Sequence, residues 1–124
     1  MRKKEGANPT PVFKRPEVLK AAISTYGEKA QADMAIEEMS ELTKAILKFR
    51  RAAGKADDAE RERLRENIVE ETADVMITLA QMIMIYDWNN EIQSIVDYKV
   101  NRLYERLGIA GKVLAEGRRQ DGDE

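Results

Sequence analysis

The chain has 124 residues, enough for one domain with a single core and short of the length of two ordinary ones. It contains no cysteine and no histidine, which excludes disulfides, thiolate or imidazole metal sites, and nucleophilic mechanisms built on Cys/His or Ser/His/Asp. Lys and Arg number 21 against 23 Asp and Glu, so no global field attracts a nucleic acid polymer or an anionic membrane, and any phosphate binding must be local.

Residues 1–15 carry all three prolines but one, at positions 9 and 11, and no sustained periodicity, so they read as an extended N-terminal arm. The third proline, Pro16, suits a first helical turn. Val18, Leu19, Ala22, Ile23 and Tyr26 then recur at helical spacing until Gly27 ends or bends the helix. A second helix is expected from about Glu28 to Ala53, with Ala35, Met39, Leu42, Ile46 and Phe49 as its apolar stripe and Gly54 as its C-cap. Arg50, Arg51 and Lys55 gather where the helix dipole favours cations, which explains them without a ligand; phosphate contact is the minority reading.

Asp57 or Asp58 can cap a third helix that continues to about Trp88, with Asn89 and Asn90 as the next break. A fourth carries Ile92, Ile95, Val96, Val100, Leu103 and Leu107 and stops at Gly108; residues 109–124 read as a mobile tail. The expected architecture is all-α, a small four-helix bundle over residues 16–108. Between Val75 and Tyr86 apolar residues cover most sides of the third helix, more than one small chain can bury, so this apolar central helix predicts a homo-oligomer, with a dimer the simplest closed form. Neither a signal peptide nor a membrane-spanning run is legible, and with the absence of cysteine this leads to the expectation of a cytoplasmic protein.

The acidic residues carry the chemistry. Solvated charge faces pair Glu with Lys or Arg four residues later, because like charges at that spacing each cost ~0.2–0.5 kcal/mol. Here Asp33, Glu37 and Glu41 form one column, and Glu62, Glu66, Glu70 and Asp74 another, with no base interposed. On a helical wheel Glu38 projects almost within the apolar stripe, with Glu41 beside it; Glu71 and Asp74 share one face of the third helix next to Thr78. If the two helices pack antiparallel, as a short connection favours, the carboxylates converge and require cations. Oxygen-only ligands select hard ions, so Mg²⁺ is expected, with Mn²⁺ a substitute. A di-iron carboxylate bundle needs Glu-x-x-His ligands, which this chain cannot supply.

EEMSE at 37–41 followed by EETAD at 70–74 resembles the EExxE and ExxD pair of MazG-like all-α nucleotide pyrophosphatases, a family related to the dimeric dUTPases. The likeness extends through YGEKAQADMAIEEMSELTKAILKFRR and YKVNRLYERL, from about Ile23 to Leu107. What it implies is a four-helix core, a homodimer or homotetramer, and Mg²⁺ held by Glu38, Glu41, Glu71 and Asp74. It also implies hydrolysis of a nucleoside triphosphate to the monophosphate and pyrophosphate by attack of a metal-activated water. Glu38 is the leading residue for positioning or activating that water, with a ligand role equally compatible, and Glu37 is a ligand or a base behind it. Lys99 and Arg102, with Asn101 assisting, and Lys48 are the expected phosphate contacts; Gln31 and Asn101 are the residues placed to read a base. Gln81, Tyr86 and Trp88 stay open, the aromatics favouring core or interface over base stacking. The contrasting functions are a non-catalytic dimeric helical interaction module and a nucleotide-binding sensor, neither of which would turn over substrate.

Overall fold

The computed structural model describes residues 13–108; residues 1–12, most of the expected arm, and the expected tail at 109–124 lie outside the described residues. Four helices occupy that range, and no strand occurs among the described residues: α1 (Pro16–Tyr26), α2 (Glu28–Arg51), α3 (Asp58–Tyr86) and α4 (Asn89–Leu107). The chain separates into two units, divided between Tyr86 and Asp87. The domain expected over 16–108 therefore takes in both, with α1–α3 in the first and α4 in the second.

Local chemistry accounts for most helix ends. Pro16 opens α1 at a position where its missing N–H costs nothing. Gly27 alone joins α1 to α2, with φ 100° and ψ 149°, a backbone conformation that only glycine adopts readily. Its N–H donates to the Ile23 carbonyl and its own carbonyl accepts from the Gln31 N–H, at 2.9 and 3.1 Å, so one residue serves the end of one helix and the start of the next. Asp57 is the residue that caps α3, its Oδ1 accepting the Glu60 N–H at 2.8 Å.

Two ends differ from the sequence expectation. α2 stops at Arg51 with Ala52 as C-cap, so Gly54, at φ 77°, shapes the connection instead of capping the helix. α3 ends at Tyr86 because Asp87 takes the left-handed conformation at φ 55°; Asn89 and Asn90 lie inside the first turn of α4. Asp tolerates that region better than most residues, so it served as the break in place of the two asparagines.

Within the first unit α2 and α3 make the main contact, and α1 packs on both. Phe49 lies near Leu64, Glu41 and Ala45 near Asn67, and Glu38 near Glu71 and Asp74, so the two long helices run antiparallel as a hairpin. Gln31, Ala35, Glu38, Leu42, Ala45, Phe49 and Ala52 form the inward row of α2 at alternating steps of four and three, and all are buried or half-buried. Leu64, Ile68, Glu71, Val75, Thr78, Met82 and Ile85 repeat the pattern on α3.

This row corrects the expected stripe. Ala35, Leu42 and Phe49 face inward, but Met39 and Ile46 stay 41% and 39% exposed, while Glu38 and Ala45 take the inward places. Ala35 and Ala45, at 0% and 3% exposure, let the helices approach closely, and Met39 and Ile46 are left on the outer flank. α1 is held by Leu19, Ala22 and Ile23, all half-buried, and by the buried Gln81 of α3, whose Nε2 donates to the Leu19 carbonyl at 3.3 Å.

The apolar core is thin: Ala35, Ala45 and Val75 are the buried hydrophobic residues among those described, and no large side chain is fully buried. From Val75 to Tyr86 most of α3 is buried or half-buried on every side, with Ile77 and Tyr86 exposed. On α4, Ile95, Val96, Val100, Leu103 and Leu107 are all exposed. No described helix is long and apolar enough to cross a membrane.

Candidate metal centre

Glu38 occupies the middle of the inward row of α2, a position where a helical hairpin ordinarily places an apolar side chain. Glu71 and Asp74, three residues apart, project from one face of α3 toward it. One carboxylate oxygen from each of the three lies within 4.8 Å of the others, and all three side chains are half-buried. Ligand oxygens of a hard divalent ion each stand about 2.0–2.6 Å from it, hence within about 5 Å of one another. The trio matches that donor set in chemistry and spacing.

Electrostatics record the crowding. Burial pushes the Glu38 carboxyl above its ordinary value, and the charges of Asp74, Glu71 and Glu37 push it the same way, as does its hydrogen bond with Glu71. Among the described residues no arginine or lysine contributes to holding Glu38 ionised. Thr78, buried one turn beyond Asp74, directs its hydroxyl proton back to its own helix, its Oγ1 donating to the Asp74 and Val75 carbonyls at 3.0 and 3.2 Å.

The outer members of the two acidic columns find ordinary partners. Asp33 pairs with Lys29 at 3.2 Å and Glu62 with Arg65 at 2.6 Å. Glu41, the fourth expected ligand, falls outside the 4.8 Å group, and its Oε1 sits 3.7 Å from the Lys44 Nζ. Glu37 is exposed on the flank of α2 and reaches the site through its charge on Glu38. Of the two columns only Asp74 enters the trio, which Glu38 and Glu71, members of neither, complete.

Of the remaining expected contacts, Gln31 is buried on the same row as Glu38, seven residues earlier, or about 10 Å along the helix. Lys48 is exposed and borders a cleft of about 410 Å³ together with Glu41, Lys44, Ala45, Arg51 and Asn67. Lys44 and Asn67 did not stand out in the sequence, although steps of four and three from Lys44 to Lys48 to Arg51 put those cations on one side of α2. A separate, largely apolar hollow of about 280 Å³ lies at the α2–α3 connection, lined by Phe49, Gly54, Arg61 and Leu64 among others, and contains no carboxylate.

Lys99, Asn101 and Arg102 belong to the second unit. On α4 the Arg102 guanidinium lies 5.8 Å from the centre of the Tyr98 ring, and the Asn101 side-chain amide donates to Glu105 at 3.3 Å. Lys99 is exposed. Gln81, open in the sequence, has a structural task, since its amide docks α1.

No protein-family model matches the chain, and no curated protein or solved structure shows significant similarity to it.

Proposed function

We propose that the protein is a Mg²⁺-dependent nucleoside triphosphate pyrophosphohydrolase of the MazG-like kind, with Mn²⁺ as a substitute ion. One observation carries the reading: three half-buried carboxylates from two helices meet within 4.8 Å, with no cation among the described residues contributing to the ionisation of Glu38. A soluble helix has no reason to place like charges inward, and a divalent ion supplies the missing positive charge. The EExxE and ExxD resemblance, which spans the same residues, supports it independently of the geometry.

In this reading Glu38, Glu71 and Asp74 hold the ion, which when bound neutralises phosphate oxygens and acidifies water. The oxygen of a water attacks phosphorus, the bond linking the α- and β-phosphates breaks, and the products are a nucleoside monophosphate and pyrophosphate. The proton of that water passes to a carboxylate, Glu38 or its exposed neighbour Glu37. Lys48, and Lys99 and Arg102 on α4 by resemblance, contact the polyphosphate; Gln31 and Asn101 are assigned to the base.

The same reading includes a homodimer or homotetramer. Its support is the apolar residues left exposed in each unit, Ile36, Met39 and Ile77 in the first and Val96, Val100 and Leu103 in the second, with no large side chain fully buried among the described residues. A cytoplasmic setting agrees with the lack of cysteine.

The deciding experiment is pyrophosphate release from a panel of ribo- and deoxynucleoside triphosphates, with Mg²⁺ and with a chelator. Release from at least one substrate, abolished by chelation, is expected. No release from any would overturn the reading in favour of a helical interaction module, for which the exposed apolar residues already speak.

A further inference from the structure

The carboxylate trio does not stand alone on the α2–α3 hairpin. Beginning at Glu41, three residues or about 4.5 Å along α2 from Glu38, the cleft of about 410 Å³ continues toward the C-terminal end of that helix. Its other wall comes from Asn67, one turn before Glu71 on α3. That volume lies within the roughly 300–1,000 Å³ typical of small-molecule sites.

Charge in the cleft is lopsided. Lys44, Lys48 and Arg51 line it against a single carboxylate, Glu41, which pairs with Lys44. Neither Lys48 nor Arg51 makes an ion pair with any described residue. The negative end of the helix dipole accounts for cations in the last turn of α2, but it acts alike on Lys48, Arg50 and Arg51. It does not account for Lys44, two turns back, or for the sharing of one concave face by Lys44, Lys48 and Arg51 while Arg50 is not part of it.

We propose that this cleft is the subsite for the two terminal phosphates of the nucleoside triphosphate, the part that leaves as pyrophosphate. The proposal rests on the pyrophosphohydrolase reading and gives it a direction, with the leaving group lying along α2 from Glu41 toward Arg51. Arg51 offers a planar fork to phosphate oxygens, and Lys44 and Lys48 offer point charges. Glu41 becomes the residue that holds Lys44 at the near edge of the cleft. Asn67 supplies an amide donor on the opposite wall.

The test compares the wild-type chain with a Lys48→Met, Arg51→Met double variant, and with Arg50→Met as a control that removes a charge from the same helix end. Each is assayed for turnover with Mg²⁺ and titrated calorimetrically with inorganic pyrophosphate in the presence of Mg²⁺; far-UV circular dichroism confirms equal helicity. For the double variant, KM is expected to rise roughly tenfold or more, with a smaller change in kcat and a matching loss of pyrophosphate affinity, while Arg50→Met behaves as wild type. Equal KM and equal pyrophosphate affinity in the double variant would overturn the subsite and leave the activity standing. Should the wild type turn over nothing, yet bind pyrophosphate in a manner that depends on Lys48 and Arg51, the anion site is upheld and the hydrolase reading is lost. Absence of both turnover and pyrophosphate binding removes both.

Discussion

Glu38 of α2 and Asp74 of α3 bring carboxylate oxygens to within 4.8 Å of each other across the contact of two packed helices. Two negative groups at that separation, half withdrawn from water, oppose the packing that brings them together. The first prediction follows from removing one of them. Glu38→Gln and Asp74→Asn should each lower turnover by roughly 10²-fold or more. Without metal their stability should stay level or rise by ~0.2–0.5 kcal/mol per relieved like-charge contact. Urea unfolding in chelator measures the second quantity, and marked destabilisation by both changes would make these carboxylates structural.

The acid limb of stability carries the same signature. Since folding raises the Glu38 carboxyl above its ordinary 4.5, the folded chain binds that proton more tightly than the unfolded one. The contribution of Glu38 to stability is then fully present below pH 4.5 and is lost as pH rises through the higher folded-state value. In chelator, Glu38→Gln should flatten this part of the pH profile relative to wild type. Superimposable profiles would show that Glu38 does not titrate differently in the fold.

Metal affinity separates Glu41 from the trio. Glu71→Gln should weaken Mn²⁺ or Mg²⁺ binding by at least about 10- to 100-fold, the loss seen when even a residue that only orients a metal ligand is changed. Glu41→Gln should leave it within a few-fold, because Glu41 lies outside the 4.8 Å group and pairs with Lys44. Paramagnetic relaxation of water by Mn²⁺ reports both. Equal losses would restore Glu41 as a fourth ligand.

Gly27 is the most sensitive backbone position. With φ 100° and ψ 149° it joins two helices through one residue, and a Cβ there meets no neighbouring atom, so a substitution is penalised by conformation alone. Gly27→Ala should cost about 1–3 kcal/mol in thermal or urea unfolding. A neutral result would mean that α1 and α2 can be joined through another backbone conformation.

Self-association should appear as concentration dependence. With 18 large hydrophobic residues exposed on the described chain, sedimentation should give at least a dimer, and the unfolding midpoint should rise with protein concentration. A monomer with a concentration-independent midpoint would contradict it.

Much of this structure is written locally in the sequence. Pro16, Gly27, Asp57 and Gly108 mark helix ends by mechanisms that involve only a few neighbours, and the inward turn of Glu38 follows from helical geometry. What the pattern does not contain is the choice between overlapping apolar faces. On α2, Met39 and Ile46 extend the apolar arc further than one neighbouring helix can cover, and close approach at Ala35 and Ala45 decides which part is used. Likewise, although Lys44 is a local partner for Glu41, nothing local says that Glu38 turns to Glu71 and Asp74 and that Glu41 does not. That division depends on the height at which α3 passes α2, a property of the hairpin as a whole.

Ala35 and Ala45 have no chemistry of their own, yet they bracket Glu38 on the contact row and fix the gap across which three oxygens must reach. They act as shims. If the trio holds an ion, its size preference is set from positions that never touch it, since added bulk at Ala35 or Ala45 would wedge the helices apart and widen the opening between the oxygens.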